Sequence, residues 1–171
     1  MSFLVRKIMR SSSESILKAC PKTNLKNITS DVTTNEFRSS NSELSVWKIN
    51  TLEDLDDAAL AIVLGGQKIE DFKLMVVDSG IIEGNFEIKK SPGSTAAIPL
   101  IDMHRDICGI THGSLDILLG AYKDAVEQGL CKRYKTKQLR ELVRTALSEG
   151  IVDIEGANEG LVEDIRELQV S

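Results

Sequence analysis

Both histidines of this 171-residue chain, His104 and His112, flank Cys108, and two acids, Asp102 and Asp106, stand among them. The spacing His104-x3-Cys108-x3-His112 would place all three on one face of a continuous helix. Imidazole and thiolate suit a borderline-soft ion such as zinc, with Asp102 or Asp106 as a fourth donor. The same residues could form a nucleophile pair, in which Cys108 attacks, a histidine takes its proton and an acid orients the imidazole. Gly109 and Gly113 argue against an unbroken helix. The spacing therefore predicts a single turn, capped by Asp102 and closed by Gly109, with His104 and Cys108 facing together and His112 on a loop. The simpler reading makes Cys108 a small buried hydrophobe. The histidines then hydrogen-bond at a strand-to-helix junction, a place where sites are often built. That reading is favoured here, with no metal and no cofactor expected.

Other reactive patterns are weaker. Leu64-Gly65-Gly66-Gln67-Lys68 lacks the spacing of a phosphate loop, and helix termination explains its glycines. Ser91-Pro92-Gly93-Ser94-Thr95 matches neither a phosphate loop nor a nucleophile elbow and reads as a loop. Lys132, Arg133, Lys135, Lys137 and Arg140 form the densest basic run, with Tyr134 interleaved. That run could contact a phosphorylated partner or RNA. A single aromatic makes a solvated linker between helices the simpler reading.

Which elements would position these residues? Glu43–Ile49 alternates and is rich in strand formers. Thr51-Leu52-Glu53-Asp54 resembles a capping box. Leu55, Ala58, Ala59, Ile62 and Val63 then repeat at helical spacing up to Gly65-Gly66. Phe72–Val77 reads as a strand, Asp78-Ser79-Gly80 as a turn, and Ile81–Glu83 with Asn85–Lys89 as its antiparallel continuation. Ala96–Ile101 reads as an edge strand interrupted by Pro99. Leu25–Ile28 and Thr33–Phe37 are too broken for firm strands. Three apolar stripes follow: Leu115–Val126 closed by Gly129, Leu139–Leu147 capped by Thr136 and closed by Gly150, and Leu161–Leu168. A short helix is expected around Glu14–Ala19. The pattern predicts an α+β fold, with a small antiparallel or mixed sheet in the first two thirds and two to three C-terminal helices.

Composition bounds the function. Hydrophobic residues at 42% and charged residues at 27% are ordinary for a globular chain with its own core. No stretch approaches the ~20 apolar residues of a membrane helix. Three cysteines are too few for a disulfide-stapled scaffold. The net charge of -5 argues against bulk nucleic-acid affinity. It is unevenly spread: residues 1–50 carry eight Lys/Arg against four Asp/Glu, and the remainder is acidic. This divides the chain into a basic N-terminal arm or helix (1–20), an α+β core (21–150) and an acidic C-terminal helix or tail (151–171). The Arg- and Ser-rich, acid-poor start reads either as a transit segment or as a first helix or strand with its cations in solvent.

Asn35–Ile49, with Phe37-Arg38 and then Leu44-Ser45-Val46-Trp47, resembles a block found in small bacterial proteins of no assigned activity. His104-Arg105-Asp106-Ile107 is similar to a His-x-Asp-Ile block in the same proteins. The resemblance implies a bacterial source, disfavours a transit segment and gives His104 a role without specifying it. With no catalytic signature present, the expectation is a non-enzymatic, cytoplasmic accessory protein of a bacterial system, of the immunity or defence kind, that binds another protein. The alternatives are a small enzyme or metal protein built on His104, Cys108 and His112, and a nucleic-acid accessory using the basic patches.

Overall fold

The computed structural model describes residues 2–8, 11–21, 28, 32–33, 36–37 and 41–170. In chain order the elements are β1 (Phe3–Ile8), α1 (Ser11–Ala19), β2 (Leu44–Ile49), α2 (Leu55–Leu64), β3 (Phe72–Asp78) and α3 (Ser79–Glu83). Then come β4 (Glu87–Lys90), β5 (His104–Cys108), α4 (Leu115–Glu127), β6 (Cys131–Tyr134), α5 (Thr136–Ser148) and α6 (Glu159–Val170). Short 3-10 turns occupy Leu52–Asp54, Ile98–Met103 and His112–Ser114. The fold is α+β. Its six-stranded open sheet runs β4-β5-β2-β1-β3-β6, and every ladder is antiparallel.

Successive side chains on a strand point to opposite faces. On one face Val5, Trp47, Leu74 and Val76 pack beneath Ala59 and Val63 of α2, Val143 of α5 and Ile165 of α6. On the other, Leu4, Val46, Met75 and Ile107 pack against Leu17 of α1, Ile82 of α3 and Leu118 of α4. Helices thus cover both faces over β3. That is why Leu74–Val77 is a continuous buried run rather than an alternating one. No helix among the described residues is long and apolar enough to cross a membrane.

The periodic elements form where expected. Asp54 accepts the amides of Asn50 and Thr51 at the start of the α2 region. Gly129 and Gly150 end α4 and α5 at φ +72 and +71. The next amides, of Leu130 and Ile151, reach back to the carbonyls of Ala125 and Ala146. That closure needs a left-handed residue, which glycine adopts without strain.

Five expectations are corrected. The basic N-terminal residues form no arm: Phe3–Ile8 is a strand at the centre of the sheet, paired on both sides, because Leu4, Val5 and Ile8 supply apolar surface to both faces. Ser79–Glu83 is a helical turn, since Asp78 accepts the Gly80 amide as its cap. β3 consequently pairs with β1 and β6 rather than with the segment that follows it. Ile98–Met103 is 3-10 rather than strand, as Pro99 fixes a helical φ in its first turn. Cys131–Tyr134 is an edge strand, not a linker, its Lys132 and Arg133 exposed as edge strands often require. Residues 25–27 and 34–35, in the two broken segments, lie outside the described residues, as do Asn35 and Arg38 of the bacterial-like block. Val32 and Phe37 are buried in the second core, where the Phe37 ring lies 4.7 Å from that of Tyr122.

Candidate functional site

Sheet register sets three side chains in one row. Val5 of β1 opposes Trp47 of β2, and Trp47 opposes His104 of β5. Two positions along on the same face come Lys7, Ser45 and Asp106, with Ser45 opposite Asp106. The segment 91–95 lies over this row. A Cβ on Gly93 would sit 2.6 Å from Trp47 Cη2 and 2.9 Å from the His104 Cβ, so only glycine lets the backbone rest on these rings. From the other side, a Cβ on Gly65 would fall within bonding-like range of the Ser94 carbonyl oxygen. Gly65 has φ −90, so helix termination does not require glycine there, and close approach of the loop does.

Between the end of α2 and this loop opens a cleft of about 290 Å³, walled by Lys7, Ser45, Trp47, Ile62, Ser94 and His104. Arg6 also borders it, donating to the carbonyls of Glu36 (3.2 Å) and Ser45 (2.6 Å) and so tying β1 to β2. Past Lys7 a second groove of about 150 Å³ continues along Ile62 and Gly66 to Phe72. The Lys7 ammonium stands 5.5 Å over the Phe72 ring and 3.5 Å from Glu70.

His104 is 8% exposed. Its Nδ1 shares a 2.8 Å hydrogen bond with Ser91 Oγ, and its ring meets Trp47 edge-on at 5.1 Å. Burial pushes the imidazole below its ordinary pKa, against the opposing pull of Asp106 and of a hydrogen bond to the Ser91 backbone. The ring is therefore neutral at pH 7. Where Ser91 donates to Nδ1, the ring proton sits on Nε2. Asp106 accepts from Ser45 Oγ at 3.0 Å.

The expected His104–Cys108–His112 cluster is taken apart by the strand. His104, Asp106 and Cys108 share a face of β5, but four strand steps separate the outer two by about 13 Å. The predicted helical turn does not form because β5 is laddered on both sides, to β2 and β4. Cys108 donates to Glu43 Oε1 at 3.7 Å and to the Asp106 carbonyl at 3.6 Å. Burial raises its thiol pKa, Lys89 opposes, and Glu43 and Glu87 raise it further. An activated thiolate needs the reverse. His112 lies exposed in its 3-10 turn, and Asp102 is exposed and paired with Lys90 at 2.9 Å. No three His, Cys, Asp or Glu among the described residues are grouped to hold a metal ion.

The basic run is largely matched by acids. Lys132 pairs with Asp56 at 3.0 Å, Arg133 with Asp71 at 2.9 Å and Arg140 with Glu167 at 3.9 Å. Tyr134 donates to the same Asp56 oxygen, and Lys132 sits 4.7 Å over the Tyr134 ring. Asp71 accepts the amide and hydroxyl of Thr136 at the start of α5, and with Arg133 these hold its carboxyl down at about 2. Lys137 borders a further cleft of about 450 Å³ beside Tyr134. Lys135 and Lys137 make no ion pair among the described residues.

Sequence reasoning reached His104 but missed Ser91, Trp47 and Lys7 as its surroundings. The available signal was Gly93 itself, a glycine between Pro92 and Ser94, a residue type that permits close approach of the backbone to a neighbour the sequence does not name. No family model, curated protein or solved structure matches this chain.

Proposed function

We propose that the chain is a non-enzymatic binding protein, an accessory factor that engages another protein through the cleft above Trp47 and His104. The observation that carries this is the cleft itself, whose walls join the Lys7 cation, the hydroxyls of Ser45 and Ser94 and the apolar edges of Trp47 and Ile62. Binding energy concentrates in pockets where apolar surface is ringed by polar groups. A photo-crosslinking residue at Ser94, exposed at the cleft mouth, is expected to capture one discrete partner in a lysate of the source cell. The same residue at Lys137, on a different cleft, is expected to capture none. Equal products from both positions, or none from Ser94, would remove the proposal.

A second reading rests on the 2.8 Å contact of Ser91 Oγ with His104 Nδ1. A hydroxyl bonded to a neutral imidazole has the first requirement of a nucleophile pair. An electrophilic fluorophosphonate would then form a Ser91 adduct that His104→Gln abolishes. An unmodified Ser91 would reject this reading and leave the first untouched.

A further inference from the structure

We propose that residues 91–95 form a strap that covers Trp47 at neutral pH and lifts when His104 takes up a proton, so that acidification opens the cleft. The inference rests on the binding reading of the same cleft and states what regulates it. The strap spans two fixed ends. Lys90 closes the β4–β5 ladder opposite Arg105. Past the strap, Ala96 donates to the Leu64 carbonyl at 3.1 Å, and its own carbonyl accepts the Asp153 amide at 2.8 Å. Between these ends Pro92, Gly93 and Ser94 make no hydrogen bond among the described residues. The span is held down by Ser91 on His104 Nδ1 and by the Gly93 backbone resting on the Trp47 and His104 side chains. Trp47 is 8% exposed with the strap in place, so a partner reaches more than the edge of the indole only when the strap moves.

The groups around the imidazole pull both ways. Asp106, two residues along the same face of β5, favours a proton on the ring, as does a hydrogen bond to the Ser91 backbone. Arg105, which donates to the carbonyls of Asp102 and His104, opposes it. From β4, Lys89 stands opposite Asp106 and pairs with Glu87 at 3.6 Å. β2 presents the neutral Ser45 and Trp47, and α2 presents Ile62 and Gly65, which carry no charge. Lys7 of β1 lies two strands away and is turned to Glu70. Burial outweighs these pulls, so the ring under the strap binds a proton more weakly than a hydrated imidazole does. Protonation and opening are therefore linked. Below the ordinary imidazole value of about 6.5, the proton is held better with the strap open, and the population moves that way as pH falls.

Trp47 is the chain's only tryptophan, so its emission reports the strap without any partner present. Emission wavelength and acrylamide quenching are followed on the full chain from about pH 7.5 to about pH 5.5, above the range where ordinary carboxylates titrate. Far-UV circular dichroism is recorded alongside. Acid is expected to redden the emission and raise the quenching constant while the dichroism stays constant. His104→Asn, whose amide can take the place of Nδ1 against Ser91, is expected to remove the transition. His112→Asn, on an exposed turn, is expected to keep it. Ser91→Ala loosens the strap and is expected to move the midpoint to higher pH. Gly93→Ala, whose methyl would lie 2.6 Å from Trp47 Cη2, is expected to hold the strap off at both ends of the range. A parent chain with no transition, a transition that survives in folded His104→Asn, or one that coincides with loss of dichroism would overturn the inference. Capture of a partner at Ser94 without a transition would reject the switch and retain the binding protein. A transition without capture would retain the strap and reject the binding protein.

Discussion

Replacing Gly65 by alanine tests the architecture of the site more sharply than any change to its polar groups. The new methyl would run into the Ser94 carbonyl oxygen, a backbone atom that cannot rotate away. The loop over Trp47 and His104 must then move. Overpacking of this kind costs about 1–3 kcal/mol. Displacing the loop also strains the 2.8 Å bond between Ser91 and His104, worth about 1 kcal/mol. Against these stands a gain of about 0.4–1 kcal/mol from stiffening the unfolded chain. The net is a loss of about 1–3.5 kcal/mol, or roughly 2–14 °C in melting temperature for a chain of this size. Gly66 is the internal control. Its Cβ would meet nothing closer than the Val63 carbonyl at 3.2 Å, so Gly66→Ala should stay within about 1 kcal/mol of the parent. Thermal unfolding followed by Trp47 emission measures both, and Gly65→Ala should also redden the emission of the folded state. A Gly65→Ala protein that melts with or above the parent would refute the clamped loop. Equal losses at the two positions would place the cost at the end of α2 instead of at Ser94.

Tyr122 Oη is buried without a hydrogen-bond partner among the described residues, and burial drives its pKa up to about 12. Tyr122→Phe should therefore be neutral or stabilising by up to about 1 kcal/mol in urea unfolding, and a loss above that would reveal a partner. His104 binds its proton more weakly folded than unfolded. Between the two pKa values the unfolded chain holds more protons, so stability rises with pH and drops on acidification from pH 7 through the unfolded value near 6.5. His104→Gln should flatten that slope, and an unchanged slope would assign it elsewhere. Burial raises the Cys108 thiol and lifts that of Cys131 to about 11, so both should resist a thiol reagent at pH 7.5 while the chain is folded. Labelling at either position as fast as in urea would contradict their placement.

What could be read from the sequence was whatever repeats. Leu115, Leu118, Leu119 and Tyr122 declare a helix without help from the rest of the chain, and so do Leu139, Val143 and Ala146. Glu43–Ile49 declares a strand in the same way. β5 does not, because His104, Cys108 and the glycine after them fit a helical turn as well as a strand. Its conformation comes from ladders to residues 44–47 and 87–90, which no local window contains. β6 was hidden by Cys131-Lys132-Arg133-Tyr134, in which the cations that protect a sheet edge mimic a solvated linker. The site shows the same division. His104 stood out by its type, whereas its neighbours Ser91, Trp47 and Lys7 come from three other stretches brought together by register alone. The glycines at 65 and 93 were visible, but the reason for them is contact across the fold rather than backbone conformation.

The place of β1 in the sheet also bears on how the chain comes together. The first of the six strands in chain order is the seam between β4-β5-β2 and β3-β6, and the two halves are joined in the sheet through it. It must wait for residues 47–49 to form one ladder and for residues 73–78 to complete the other. Until then six residues of strand-forming sequence stand with both edges open. Arg6 and Lys7, placed among Leu4, Val5 and Ile8, put charge into that waiting segment and act as gatekeepers against premature pairing with another chain. The cations that later border the cleft thus serve first to keep the nascent seam soluble.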